Sequence, residues 1–520
     1  MAVQILDSSL RDGAQGEGIS FSLRDKLNIY SALDRFGIEL IEAGNPFSNP
    51  KDLEFFRRIN EGHYNAKAVA FGSTVRKGLK ACEDENLAAL LKAQTEYVSI
   101  FGKAWKLHVE CILGVSPEEN LRMIADSIGF LVKNHRKVIF DAEHFFDGYK
   151  ADAEYALQVL ATAEKAGASV ICLCDTNGGT FPEDIKKAVK AADKAISVKL
   201  GIHCHNDSGC AVANTLTAYK AGAEHIQGTF TGFGERCGNA SLSTVIADIQ
   251  LKYGDRILSD KKLAMLTDTA RYISEVANVS LPVTTPYIGS GAFSHKAGMH
   301  ADGVAKNPAT FEHIRPEAVG NERRYLLSEV SGRAAILSAI RRFDDSLDKN
   351  SPQTIAITKK LKELEQTGFR FEAATASFDM MVLRELGRFV PHFDIDYFKI
   401  ISSRIEDGVI EKATALIKVR VGDSHEITAD EGNGPVNAID KALRKALEVF
   451  YPQLKKMHLL DYKVRVIGSG GSTAAVTRVL ITSTDGDNVW TTVGVSEDII
   501  SASVQALNDS IEYMLNMGIA

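Results

Sequence analysis

Eight strand-like runs separated by helical patterns predict that residues 1–268 form an α/β domain, a (β/α)8 TIM barrel. Two later breaks in that rhythm predict a mostly helical linker region over 269–397 and a small α+β domain over 398–520. The runs are apolar and β-branched and begin near Val3, Ile38, Ala66, Tyr97, Lys137, Ser169, Val198 and His225. Helical periodicity lies between them, as over Ser22 to Phe36, Pro117 to Asn134, Ala153 to Ala166 and Gly209 to Ala221. Gly37, Gly167 and Gly222 end such patterns, where a C-terminal cap belongs. Eight units in about 250 residues is the size of a closed barrel. An open doubly wound sheet is the alternative, but no glycine fingerprint follows the first strand.

After about Asp268 the alternation stops. Leu281-Pro-Val-Thr-Thr-Pro286 and Gly289-Ser-Gly291 break the chain, and helical patterns return over Ser328 to Lys349 and Ser351 to Thr367. From about Phe398 the composition changes again. Strand-like alternation over Glu411 to Val421, Tyr462 to Ile467 and Thr473 to Ser483 is joined by helical patterns over Pro435 to Val449 and Asp498 to Met514. No internal repeat stands out. Gly468-Ser-Gly-Gly-Ser472 lacks the lysine of a phosphate loop and reads as a turn.

Composition sets broad limits. The 520 residues are 45% hydrophobic and 24% charged, which are globular values. A net charge of -7 without a long basic run argues against nucleic acid as a partner. The start, Met-Ala-Val-Gln-Ile-Leu-Asp7, lacks the pattern of a signal peptide, and no stretch is long and apolar enough to span a membrane. A cytoplasmic protein with no membrane partner is expected. Seven scattered cysteines, an odd number, suit reduced thiols, and Cys172 and Cys174 read as small buried hydrophobes.

A barrel puts its chemistry at the C-terminal ends of its strands. Polar residues gather there. The first strand leads into Arg11-Asp12, the second ends at Glu42, and the fifth at Asp141-Ala-Glu143-His144. The sixth ends at Asp175-Thr176, the seventh carries His203-Cys-His205, and Gly234 to Asn239 follows the eighth. Side chains two apart on a strand share a face, so both imidazoles can reach one ion. Asp12, His203 and His205 would supply a carboxylate and two imidazoles and leave positions open for substrate and water, with Asn239 near the ion or a bound water. Such an ion can polarise the ketone of a 2-oxo acid, and Arg11 would stabilise the alkoxide that forms on attack by a carbanion. Singly, each residue has a structural alternative: hydrogen-bonded histidines, a surface Arg11–Asp12 pair, a turn asparagine, Glu143 as a rim acceptor. Their convergence on one rim favours the site.

Leu10-Arg-Asp-Gly-Ala-Gln15, His203-Cys-His205-Asn-Asp and Gly234-Glu-Arg-Cys-Gly-Asn239 resemble the aldolase-like metalloenzymes that include the 2-isopropylmalate, homocitrate and citramalate synthases. Ser48-Asn-Pro-Lys-Asp52, Phe101-Gly-Lys-Ala-Trp105 and Phe140-Asp-Ala-Glu-His-Phe-Phe-Asp-Gly148 most resemble the citramalate synthase branch. The resemblance runs nearly end to end. It implies a divalent ion (Mg2+, Mn2+ or Zn2+) held by Asp12, His203 and His205 beside Asn239. It implies Arg11, Glu143 and His300 as catalytic residues, with Arg11, Gln15 and Thr176 contacting substrate. His300, in Gly298-Met-His300-Ala-Asp302, matches a linker histidine given to the partner subunit of a homodimer. The final domain resembles a regulatory domain, so Gly432, Asn433 and Gly434 are expected to face an amino-acid effector, isoleucine or leucine.

The implied reaction is a Claisen-type condensation of acetyl-CoA, as co-substrate, with pyruvate to (R)-citramalate, on a route to isoleucine. The alternatives are a 2-isopropylmalate synthase using 2-oxoisovalerate, on a route to leucine, and a catalytically silent effector-binding relative. Phe101 and Trp105 would limit room for a branched acceptor. Three departures stand out. Phe311 replaces a tyrosine and cannot transfer a proton. Ser8-Ser9 replace two threonines but keep the hydroxyls, and Ala43-Gly-Asn-Pro-Phe47 replaces a Gly-Gly-Trp-Pro-Gly-like run.

Overall fold

The protein is described here from a computed structural model, covering residues 3–296, 298–325, 333–403, 412–467 and 475–518. It divides into two compact units. One comprises Met1–Phe293 with His313–Arg323, the other Ser294–Glu312 with Arg324–Ala520.

The first unit is a closed eight-stranded parallel barrel. Its strands are β1 (Gln4–Asp7), β2 (Leu40–Gly44), β3 (Lys67–Ser73), β4 (Tyr97–Lys103), β5 (Lys137–Glu143), β6 (Val170–Asp175), β7 (Lys199–Cys204) and β8 (His225–Gly228). β8 closes on β1 with Gln4 opposite His225. Helices cross between strands for local reasons. Leu23–Phe36 starts with a capping box between Ser22 and Asp25 and stops at Gly37, whose φ of 109° is left-handed. Ala153–Ala166 starts on Asp152 and stops at Gly167, at φ 104°.

Strand alternation sorts the barrel into two layers. Outward side chains such as Ile5, Ile41, Ala43, Ile171, Ile202 and Cys204 join the core under the helices. Leu6, Leu40, Val69, Ile139 and Val170 form a separate buried cluster. In β5, β7 and β8 the same inward parity places Asp141, Glu143, His203, His225 and Gln227 inside the barrel. Among the described residues no helix is long and apolar enough to cross a membrane.

The second unit begins with a short strand, Ser294–His295, paired with Arg324–Tyr325, and its helices are Gly298–Lys306, Arg333–Ile340, Pro352–Gln366 and Thr375–Glu385. The expected Ser328 to Lys349 helix is shorter than its pattern, and residues 326–332 lie outside the described residues. Two antiparallel three-stranded sheets follow, Asp394–Ser403 with Lys412–Val421 and Ser424–Gly432, then His458–Ile467 with Val476–Thr484 and Val489–Ser496. Each sheet is followed by one long helix, Pro435–Leu447 or Ile499–Asn516. The arrangement is thus a duplicated three-strand-plus-helix motif, although no repeat is visible in the residues. Gly468 to Ser472, expected as a turn, lies outside the described residues.

Candidate active site

Asp12, His203 and His205 converge at the C-terminal mouth of the barrel. Asp12 Oδ2 lies 3.3 Å from His203 Nε2 and 3.7 Å from His205 Nε2, and all three side chains are buried. The three donor atoms lie within 4.8 Å of one another. β7 delivers His203, and His205 follows it by two, on the same face. A bridge between His205 and Asn239 ties the next loop to that strand. Asn239 Nδ2 lies 3.3 Å from both Asp12 Oδ2 and His203 Nε2. Its Oδ1 is buried without a hydrogen-bond partner. A Cβ on Gly234 would sit 2.0 Å from that oxygen, so any larger residue there would displace the Asn239 amide.

These residues fit a divalent ion. Two donors bound to one ion at roughly 2.1 Å stand about 3.0–3.4 Å apart for right-angled to tetrahedral geometry. The Asp12–His203 spacing falls in that span and the Asp12–His205 spacing is slightly wider. Turning the Asn239 amide over would bring its orphaned oxygen toward the same centre. The charge distribution agrees. Burial alone would raise Asp12, but Arg11 and His203 together hold it far below the usual carboxylate range. Burial and the neighbouring His203 pull His205 down to about 4. Burial also opposes charge on His203, but its hydrogen bond to Asp12 prevails and raises it.

Arg11 forms the next wall. Its Nε donates to Glu42 Oε2 at 2.6 Å and its Nη1 lies 3.1 Å from Asp12 Oδ2. Its guanidinium carbon sits 3.9 Å above the centre of the Phe71 ring. Glu42 is fully buried and also accepts from Ser8 Oγ at 2.7 Å, so the hydroxyl at that position has a structural use. Five N–H donors exceed these two carboxylate contacts, which leaves Arg11 able to donate into the cavity. Burial penalises the Arg11 charge, but Glu42, Asp12 and Asp141 outweigh that and raise its pKa.

The cavity is about 220 Å³ and is lined by Arg11, Asp12, Gln15, Glu143, Thr176, His203 and His205 among others. It therefore brings together every expected barrel residue except Asn239, which touches Asp12 and His203 from the neighbouring loop. Glu143 pairs with Lys103. Thr176 Oγ1 accepts from the His144 backbone N–H at 2.9 Å, so its own hydrogen remains to be donated. Phe71 and Phe101 stack at 5.5 Å on the cavity wall. Trp105 does not line it and stacks on His108 instead. Cys172 and Cys174 are buried, and burial holds the Cys172 thiol well above its usual range.

His300 belongs to the second unit, on Gly298–Lys306, where its ring stacks on Phe311 at 4.2 Å. Gly432, Asn433 and Gly434 also lie there, between the strand Ser424–Gly432 and the helix Pro435–Leu447. Asn433 and Gly434 line a cavity of about 570 Å³ with Val436, Asp440, Arg444 and Tyr462. A Cβ on Gly432 would meet the Ala438 backbone nitrogen at 2.4 Å, so that glycine allows strand and helix to approach. Reading by motif missed Phe71, Lys103 and Gln227. Inward strand parity is the signal that could have found them.

Comparison with known proteins matches this architecture along the chain. A family model described as HMGL-like covers residues 2–273, one described as homocitrate synthase post-HMGL domain-like covers 287–368, and one described as LeuA allosteric (dimerisation) domain covers 372–515. The chain is 47% identical over 515 residues to the (R)-citramalate synthase of Aquifex aeolicus, covering 99% of this chain and 98% of that protein. It is 47% identical over 515 residues to the (R)-citramalate synthase of Geobacter sulfurreducens, with the same coverage. Identity falls to 32% over 505 residues with a probable 2-isopropylmalate synthase of Methanopyrus kandleri, covering 97% of this chain and 96% of that protein. The chain therefore belongs to the HMGL-like family, within its group of citramalate, 2-isopropylmalate and homocitrate synthases.

Proposed function

We propose that this protein condenses acetyl-CoA with pyruvate and water to give (R)-citramalate and free CoA. The observation that carries this reading is the convergence of Asp12, His203, His205 and Arg11 in one cavity walled by Phe71 and Phe101. A divalent ion held by Asp12, His203 and His205, beside Asn239, would supply Lewis acidity to the ketone of the 2-oxo acid. Arg11, anchored by Glu42, donates to the oxygen that gains negative charge when the acetyl carbanion attacks that ketone. Thr176 donates its hydroxyl hydrogen to the acceptor's carboxylate, and Gln15, which also lines the cavity, contacts substrate. Glu143, held by Lys103, is the cavity acid for proton transfer, and water then cleaves the thioester. The stacked phenylalanines favour a small acceptor.

Identity of 47% to named citramalate synthases, against 32% to the named 2-isopropylmalate synthase, supports pyruvate over a branched 2-oxo acid. In the same reading residues 1–268 are catalytic, 269–397 form a linker and 398–520 regulate. The described LeuA dimerisation domain supports a homodimer, in which His300 completes the partner's site and Gly432, Asn433 and Gly434 face isoleucine or leucine. The setting is the cytoplasm. The test is to supply acetyl-CoA with each 2-oxo acid in turn and follow CoA release. Pyruvate should give the highest kcat/KM. Preference for 2-oxoisovalerate would make the enzyme a 2-isopropylmalate synthase. Ion binding without turnover on any 2-oxo acid would make it a silent relative.

A further inference from the structure

A chain of hydrogen bonds runs through the barrel interior to the back of His203. Gln4 Nε2 donates to Glu39 Oε1 at 2.6 Å. That contact turns the Gln4 amide so that Oε1 faces His225 Nδ1 at 3.1 Å, and an amide oxygen only accepts. His225 therefore carries its hydrogen on Nδ1. Burial pulls its pKa down to about 3, so it is neutral and Nε2 is an acceptor. Gln227 Nε2 stands 3.4 Å from that atom and 2.9 Å from Asp141 Oδ1. Two acceptors thus face one amide nitrogen, which fixes the Gln227 orientation. Its Oε1 is left facing His203 Nδ1 at 3.1 Å.

We propose that Gln227 is a positioning residue for the ion, holding His203 in the tautomer with hydrogen on Nδ1 so that the Nε2 lone pair faces Asp12 and His205. All the donors in the chain point the same way, from His203 through Gln227, His225 and Gln4 to Glu39. The register of the barrel makes this possible, because β7 pairs His203 with Gln227 and β1 pairs Gln4 with His225. His205 differs. Its Nδ1 is buried without a hydrogen-bond partner, so no such device sets its tautomer. A metal-bound histidine whose second nitrogen is held in this way binds more tightly, and loss of the support typically costs about 10–100-fold in affinity.

The inference rests on the reading that His203 is an ion ligand, and the experiment separates the two. Zn2+ and Mn2+ dissociation constants are measured by chelator competition for the wild-type chain and for Gln227→Met, which keeps the volume and removes both hydrogen-bonding groups. The variant should bind about 10–100-fold more weakly while its circular dichroism is unchanged. Nitrogen NMR of the zinc-loaded wild-type protein, labelled at histidine, gives a readout that needs no variant. His203 should bind through Nε2 and show a protected Nδ1–H. Equal affinity in a folded Gln227→Met protein, or zinc on Nδ1 of His203, overturns the positioning role and leaves the ion site standing. Failure of the wild-type protein to bind either ion overturns both.

Discussion

Arg11→Lys tests the chemistry most directly, because it preserves charge and removes geometry. Arg11 reaches Glu42 at 2.6 Å and Asp12 at 3.1 Å from two different nitrogens, and its plane lies 3.9 Å over Phe71. A lysine ammonium carries its three donors on one nitrogen, so it cannot reproduce contacts that Arg11 makes from separate nitrogens while aiming a further donor into the cavity. The buried Glu42 would retain a cation, so folding should lose no more than about 1–2 kcal/mol, mainly the stacking on Phe71. Arg11→Ala would be less informative, since stranding Glu42 at full burial costs about 3–5 kcal/mol. Loss of one donor to a developing oxyanion typically lowers kcat by about 10²–10³, or roughly 2.7–4 kcal/mol. The expected result is a kcat lower by that factor, with a pyruvate KM changed only a few-fold and a near-native melting temperature. Kinetics come from CoA release under saturating acetyl-CoA. An unchanged kcat with a raised KM would refute the argument and make Arg11 a ground-state binder.

Asp12→Asn and His203→Ala should each lose the divalent ion and activity together, read by metal analysis of the dialysed protein and by CoA release. Full turnover in a metal-stripped His203→Ala protein would end the metal reading. Mixing folded His300→Ala and His203→Ala variants should restore activity after subunit exchange, because one site of the mixed dimer keeps both histidines; exchange without recovery would place His300 in cis or outside catalysis. Burial pushes Asp379 up to about 6 against the pull of Arg342 at 2.5 Å. A carboxyl raised on folding favours the folded state fully below its unfolded pKa near 4, and that contribution is lost as pH rises through about 6. Wild-type stability should therefore fall by about 2 kcal/mol more than that of Asp379→Asn between pH 4 and 8, measured by urea unfolding; parallel pH profiles would refute the assignment.

Local periodicity carried much of the barrel and the pairing of His203 with His205. His203 and His205 are two apart, and the parity rule of a strand puts them on one face without knowledge of the rest of the chain; Arg11 and Asp12 follow β1 in a turn, which that rule does not reach. The last domain was less legible because its strands do not all alternate cleanly. Ser424–Gly432 keeps every residue but the last at least partly exposed, so no apolar period marks it. The supports of the site were not legible at all. Arg11 meets Glu42 across 31 residues, Lys103 meets Glu143 across 40, and His225 meets Gln4 across 221. Those pairings depend on the register with which parallel strands join and on the closure of β8 onto β1, neither of which any single segment encodes. Sequence alone therefore determined which polar groups gather at the strand ends. Only the closed barrel decided which partner orients each group, because hydrogen bonds between strands are set by the shared geometry of the sheet rather than by proximity along the chain.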